Sequence, residues 1–198
     1  MRIDPSTQST RENYQLMIAS VVPRPIGWVS TLARDGTANL APFSYFGAIT
    51  AAPPTLFLSI GRRHGEQKDT ARNLIDAGEG VVHVPHRPLA EAMVKTSVEA
   101  SAEVDEFEFA ALDRIASERV GAPRVLNAAI AFECRVSQYL EVGDGPNDVF
   151  FLEILLAHVA DDVLDGRLPD PARLAAVGRL GGNGYCATSD PFFLARPR

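Results

Sequence analysis

From Gly36 to Gly61 the chain carries no Asp, Glu, Lys or Arg. The run is long enough to span a bilayer, yet it holds Asn39, Pro42, Ser44, Thr50, Pro53 and Pro54. Proline breaks a helix, and polar groups in lipid have no water to satisfy them. The segment therefore reads as short strands and turns that avoid charge. They are either buried as a sheet or line a slot for an uncharged planar ligand. Burial alone explains the apolar residues, but Asn39, Ser44 and Tyr45 need hydrogen-bond partners if they are inside.

The flanking sequence supports the strand reading. Ile26–Leu32 is rich in β-branched and aromatic residues. Asp35-Gly36 then marks a hairpin turn. Ala38–Phe43 is the returning strand, and Pro42 puts it at a sheet edge or beside a bulge. Phe46–Thr50, Thr55–Ile60, Val81–Val84, Ile130–Leu140 and Val149–Val159 follow as further strands. Helices are expected at Lys68–Ala77, which stops at Gly78, at Pro88–Ser97, and briefly at Asp170–Ala176. Ser101–Ala128 reads as an excursion from the sheet, over a ligand or a partner subunit. Many short strands with few helices argue a mainly β barrel or sandwich with Greek-key links.

The chain has 198 residues, enough for a core without staples, and reads as a single domain over 1–198. A net charge of −6 is a poor match for nucleic acid or an anionic membrane, though a local basic pocket for one phosphate remains open. Cys134 and Cys186 stand far apart, which argues against a disulfide framework or zinc site. The polar start MRIDPSTQSTREN has no apolar signal core, and the expected location is cytoplasmic. His64, His83, His86 and His158 are scattered with no obvious third ligand, so no metal site is expected.

There is no G-x-S-x-G, no H-E-x-x-H, no Walker A loop and no G-x-G-x-x-G after a strand. Two features remain. Lys68-Asp69-Thr70 opens a helix, where free N–H groups and the positive dipole end suit a phosphate. Ordinary capping by Asp69, with Lys68 in solvent, explains the same residues. The second feature is the hairpin pairing residues 23–31 with 39–46. It sets hydroxyls and an amide beside Trp28 and several aromatics, a combination that suits a flavin ring. The alternative is a hairpin whose aromatics are core, and for Trp28 taken alone that is the better reading.

The segments P-R-P-I-G-W-V-S-T at 23–31, N-L-A-P-F-S-Y-F at 39–46, K-D-T-x-R-N at 68–73, E-V-D-E-F-E-F-A at 103–110 and R-L-G-G-x-x-Y at 179–185 together resemble the flavin reductase-like proteins, the FMN-binding split-barrel flavoproteins. The resemblance implies a six-stranded Greek-key split β-barrel with a few peripheral helices, forming a homodimer with flavin near the subunit interface. It implies hydrogen bonds to flavin from Ser30, Thr31, Asn39 and Ser44. Backbone contacts would come from Ala41, Pro42 and Phe43, and walls from Trp28, Tyr45 and Phe46. Ser59 and Ile60 would lie beside the ribityl chain, and Lys68, Asp69 and Thr70 at the phosphate. Arg24 is assigned to the phosphate or the dimer contact, and residues 103–110 to the partner's flavin. His158 matches a strand histidine that can steer nicotinamide or protonate reduced flavin, and a structural histidine fits equally. Gly27 replaces an alanine common in relatives, and Leu152-Glu153 stands where they carry a Gly-Glu pair.

The function implied is an NAD(P)H-dependent flavin reductase that uses FMN, with FAD admissible and NADH or NADPH as donor. Such an enzyme would supply reduced flavin to a partner monooxygenase or another redox partner. The alternative is an electron carrier that holds FMN as a prosthetic group and oxidises little NAD(P)H directly.

Overall fold

The computed structural model describes residues 1–195 and residue 197. Seven antiparallel strands form the main sheet: β1 (Gly27–Leu32), β2 (Ala38–Phe43), β3 (Phe46–Ala51), β4 (Pro54–Gly61), β5 (Glu79–Val84), β6 (Ile130–Val142) and β7 (Asn147–Val159). Their order is β2-β1-β5-β6-β7-β4-β3. Strands β2 and β3 occupy the two ends of that order, yet only Ser44 and Tyr45 separate them in sequence. The sheet must therefore curl until its ends approach, and it closes as a split barrel rather than a continuous one.

The β1–β2 hairpin follows from its turn. Gly36 has φ +90°, and its N–H reaches the Ala33 carbonyl at 3.0 Å. A side chain resists that backbone conformation and glycine does not. Strand β2 is an edge, as Pro42 requires. The Leu40 N–H leaves the sheet for a side chain of another segment. By antiparallel alternation the Pro42 nitrogen faces the same open side, so proline removes no ladder bond.

Both faces of β1 are covered. Val29 packs inside the barrel with Leu56, Leu58, Ile60, Leu74, Val82, Phe150 and Leu152. Trp28 lies on the other face with Leu40, Met93, Phe107, Val125 and Val177. Met93, Phe107 and Val125 of that outer layer come from the excursion after β5, which contains α3 (Ala90–Lys95) and α4 (Glu106–Phe109). Helix α2 (Asp69–Ala77) buries Thr70, Ala71, Asn73 and Leu74 and ends at Gly78, φ +72°. The expected helix at Pro88–Ser97 is instead a tight turn, Arg87–Leu89, followed by α3. The expected helix at Asp170–Ala176 shortens to α5 (Pro171–Leu174), ended by Ala175 in the left-handed region.

Helix α1 (Thr10–Ser20) was not foreseen from the sequence. Its signal is present: Ser9 and Glu12 form a reciprocal capping box. The helix buries no residue, so it lacks the apolar stripe by which helices are recognised. No helix among the described residues is long and apolar enough to cross a membrane. Among the same residues, no three His, Cys, Asp or Glu side chains converge as metal ligands.

Candidate functional site

A cleft of about 360 Å³ lies between the edge of β2, the start of α2 and the segment leading into α4. Asn39, Ala41, Pro42 and Phe43 form one wall, and Arg63, Lys68 and Thr70 the other. Thr96, Ser97, Glu99 and Glu106 are among the residues that line the rest of it.

Asn39 is the hub of the cleft floor. Its Oδ1 accepts from Thr70 Oγ1 at 2.6 Å and from Thr31 Oγ1 at 3.3 Å. Its Nδ2 donates to both carboxylate oxygens of Glu106, at 3.2 and 3.1 Å. Glu106 also accepts the Leu40 N–H at 2.9 Å. Burial pushes the Glu106 carboxyl above its ordinary value, and these bonds only partly oppose it.

The opposite wall mixes charges: Arg63, Lys68 and Arg72 stand beside Glu66 and Asp69. Arg63 pairs with Glu99, and Arg72 with Asp69. Lys68 makes no ion pair among the described residues; its Nζ lies 5.8 Å from the Phe43 ring centroid. Lys68 as a residue is exposed, but partial desolvation of its ammonium at the cleft first, and Arg63 second, hold it below its ordinary value. Lys68 is also the N-cap of α2 and gives no side-chain cap. The amides of Asp69, Thr70 and Ala71 are thus the unpaired donors of a helix start, directed at the cleft end where Lys68 stands. Asp69 is the first helical residue rather than the cap.

The flavin reductase-like domain model matches residues 19–173. An uncharacterized protein of Halalkalibacterium halodurans is 37% identical over 202 residues, covering 100% of this chain and 97% of its own. The crystal structure of nitrilotriacetate monooxygenase component B from Bacillus cereus superposes with a TM-score of 0.94 at 33% identity, covering 98% of each chain. The 2-nitrobenzoate 2-nitroreductase of Pseudomonas fluorescens superposes at 0.90 with 29% identity, covering 100% of this chain and 96% of its own. The chain belongs to the flavin reductase-like family.

For a flavin reductase-like protein, the donor set suits a flavin phosphate: one unpaired ammonium and a row of free amides at a helix start. The ring edge is different. Thr31 and Asn39, assigned to flavin by the resemblance, use their polar groups on each other and on Thr70, Asn73 and Glu106. Backbone groups of Ala41, Pro42 and Phe43 along the open edge are what remains to meet a heteroaromatic ring.

Other assigned residues lie elsewhere. Trp28 does not wall the cleft: its indole is fully buried, and Nε1 donates to Thr96 Oγ1 at 2.9 Å. Thr96 lines the cleft, so Trp28 braces the wall from behind. Ser30 is equally buried and donates to the Pro123 carbonyl. Ile60 and Phe46 pack in the barrel core. Ser44 Oγ accepts from Arg24 Nε at 3.2 Å, and Ser59 Oγ accepts from Asn147 Nδ2 at 3.0 Å. Tyr45 is outside the cleft lining, and its buried hydroxyl has no partner among the described residues. Arg24 does not reach the phosphate end either. It donates to the carbonyls of Ile18 and Val21 at the end of α1, and to Leu180.

His158 is held away from the cleft lining by Glu133, at 2.7 Å from Nε2 to Oε1. Strand register on one β7 residue gave no hint of that partner. Arg63, Glu106 and Glu99 were missed as individual site residues. Residues 103–110 were singled out only as a segment, and Glu106 turns out to grip its own chain's Asn39.

Proposed function

We propose that this protein is an NAD(P)H-dependent flavin reductase that binds FMN, with the phosphate at the start of α2 and the ring along the edge of β2. The observation that carries the reading is the unpaired Lys68 beside the free amides of Asp69, Thr70 and Ala71. One phosphate ester matches that donor set, and this favours FMN. The bound flavin would supply the hydride-accepting chemistry, with NADH or NADPH as donor.

The chain's own residues bind and orient. Lys68 and the helix start fix the anionic tail. The backbone of Ala41–Phe43 directs the ring, and the Glu106–Asn39–Thr70 chain keeps that edge rigid. No side chain in the cleft is placed as a covalent catalyst, and stacking two flat rings needs none. We further take the working form to be a cytoplasmic homodimer with a redox partner such as a monooxygenase. Helix α1 buries none of its residues and leaves Tyr14 and Met17 half exposed, which suits a partner subunit. His158, held by Glu133, is taken as structural.

The test is an anaerobic spectrum with FMN, recorded before and after adding each nicotinamide. Bleaching of the flavin absorbance with NADH or NADPH is the expected result, and no bleaching with either rejects the activity. Lys68→Ala should raise the FMN dissociation constant about tenfold while leaving riboflavin binding unchanged. Unchanged FMN affinity rejects the phosphate assignment.

A further inference from the structure

We propose that Asp148 is a positioning residue for the phosphate end of the cleft. It clamps both flanks of the turn that brings Arg63 and Lys68 to the ligand. The proposal rests on the reading above, that a phosphate ester sits at the start of α2.

Strand β4 ends at Gly61, and the chain reverses at once. Arg63 and Glu66 exchange two backbone hydrogen bonds, both 2.8 Å. Between them His64 and Gly65 have φ +49° and +85°. Two successive left-handed residues make a tight hairpin turn. The turn tip is exposed, and its two strands have no sheet of their own to join.

The flanking side chains converge on one acceptor. Arg62 precedes the turn and donates to Asp148 from Nε at 3.2 and 3.3 Å and from Nη2 at 2.8 Å. Gln67 follows the turn and donates from Nε2 to the same carboxylate at 3.1 Å. Tyr139 adds its hydroxyl at 2.7 Å. Asp148 is fully buried and opposes Ile60 in the β7–β4 ladder, so the clamp is fixed to the barrel wall. The next residues in each direction, Arg63 and Lys68, line the cleft, as does Gln67 itself.

The charges assign roles. Arg62 is neutralised by Asp148 and Glu141 and is not offered to a ligand. Arg63 is paired with Glu99. Lys68 is left unpaired, and it follows directly on a turn whose two flanks are both tied to the barrel at Asp148. Burial acts to raise the Asp148 carboxyl, but the bonds from Arg62, Tyr139 and Gln67 outweigh it and keep the group ionised.

The experiment measures the affinities of FMN and riboflavin for the full chain, with Asp148→Asn and Gln67→Ala as variants. Asparagine keeps an acceptor for Tyr139 and loses the charge that holds Arg62. Expected for Asp148→Asn is an FMN dissociation constant about tenfold higher, with riboflavin within about twofold of wild type. Gln67→Ala strands no buried charge, so it decides the matter should Asp148→Asn fail to fold. It should weaken FMN about threefold and leave riboflavin unchanged. Equal loss for both flavins would show a merely structural prop and overturn the proposal. So would no loss for either flavin. A wild-type protein that binds riboflavin as well as FMN would remove the phosphate reading itself. A wild-type preference for FMN that survives both substitutions would overturn the clamp alone.

Discussion

Two buried glutamates organise opposite parts of this molecule, and their surroundings drive them in opposite directions. Glu106, at the cleft, accepts only from neutral donors, the Asn39 amide and the Leu40 N–H, and Asp69 stands nearby. Burial raises its carboxyl. Glu133, on β6, also suffers burial, but the N–H groups of Glu118 and Arg119 and the His158 ring outweigh it. Its carboxyl is held below the ordinary value. Arg124 Nε lies 3.6 Å away as well. One glutamate is neutralised by the fold, and it straps the segment around residues 117–125 to the barrel. The other is given no cation, although Lys68 stands unpaired in the same cleft. Positive charge there is left for a ligand and is not used to settle Glu106.

The largest expected effect follows from the neutralised side. Glu133→Ala strands Arg124, His158 and two main-chain amides, and should cost about 3–5 kcal/mol of stability. Urea unfolding measures it. Flavin affinity of the folded variant should stay within about twofold of wild type. A loss of affinity as large as that of Lys68→Ala would break the division between the two regions.

Much of the scaffold was legible locally. The strand runs, the Asp35-Gly36 turn, the edge position of Pro42 and the α2 stop at Gly78 depend on neighbouring residues, and the structure has them all. The place of Lys68 and Thr70 at the start of a helix was legible for the same reason, because a helix start shows in neighbouring residues. Trp28 was not. Both faces of β1 are buried, and a period of two cannot say which face meets a ligand. The contacts that Glu106 and Asp148 make were illegible. Their partners lie far along the chain, at Asn39 and Leu40 for Glu106 and at Arg62 and Gln67 for Asp148, and only the barrel's closure joins them. The Glu133–His158 pair was hidden likewise, since it needs the β6–β7 ladder.

A middle-sized effect sharpens the contrast through pH. His83, fully buried on β5, accepts the Val125 N–H at Nε2, 3.0 Å away. Its Nδ1 must then carry the proton and donate to the Trp28 carbonyl at 2.9 Å. Burial drives its pKa from 6.5 down to about 4. The unfolded chain therefore binds the proton first. The stability His83 contributes is complete above pH 6.5 and is lost as pH falls toward 4, by roughly 3 kcal/mol. Glu133, also lowered, adds a further loss as pH falls below its ordinary value of 4.5. Urea midpoints at pH 7, 5.5 and 4 should fall in that order. His83→Gln should flatten the first interval whatever its absolute stability. A wild-type midpoint constant from pH 7 to 4 would contradict the neutral, buried state of His83.

The smallest effect lies at the cleft and has the opposite sign. Because burial raises the folded Glu106 carboxyl, the stability it contributes is present below pH 4.5 and lost as pH rises through the folded value. Glu106→Gln removes that titration. Glutamine also keeps an oxygen to accept from Leu40 and Asn39, so the wall should stay in place. Stability near neutral pH should change by no more than about 1 kcal/mol. The readout with more power is affinity. At pH values above the folded titration of Glu106 the substitution removes a negative charge from the lining, so FMN should bind a few-fold tighter there, and riboflavin, which lacks the phosphate, should bind as before. The gain should shrink in high salt, as a Coulombic effect across a solvated cleft must. If Glu106→Gln weakens both flavins, Glu106 acts as a wall strut whose exact hydrogen bonds matter more than its charge. The contrast with Glu133 would then be one of position alone.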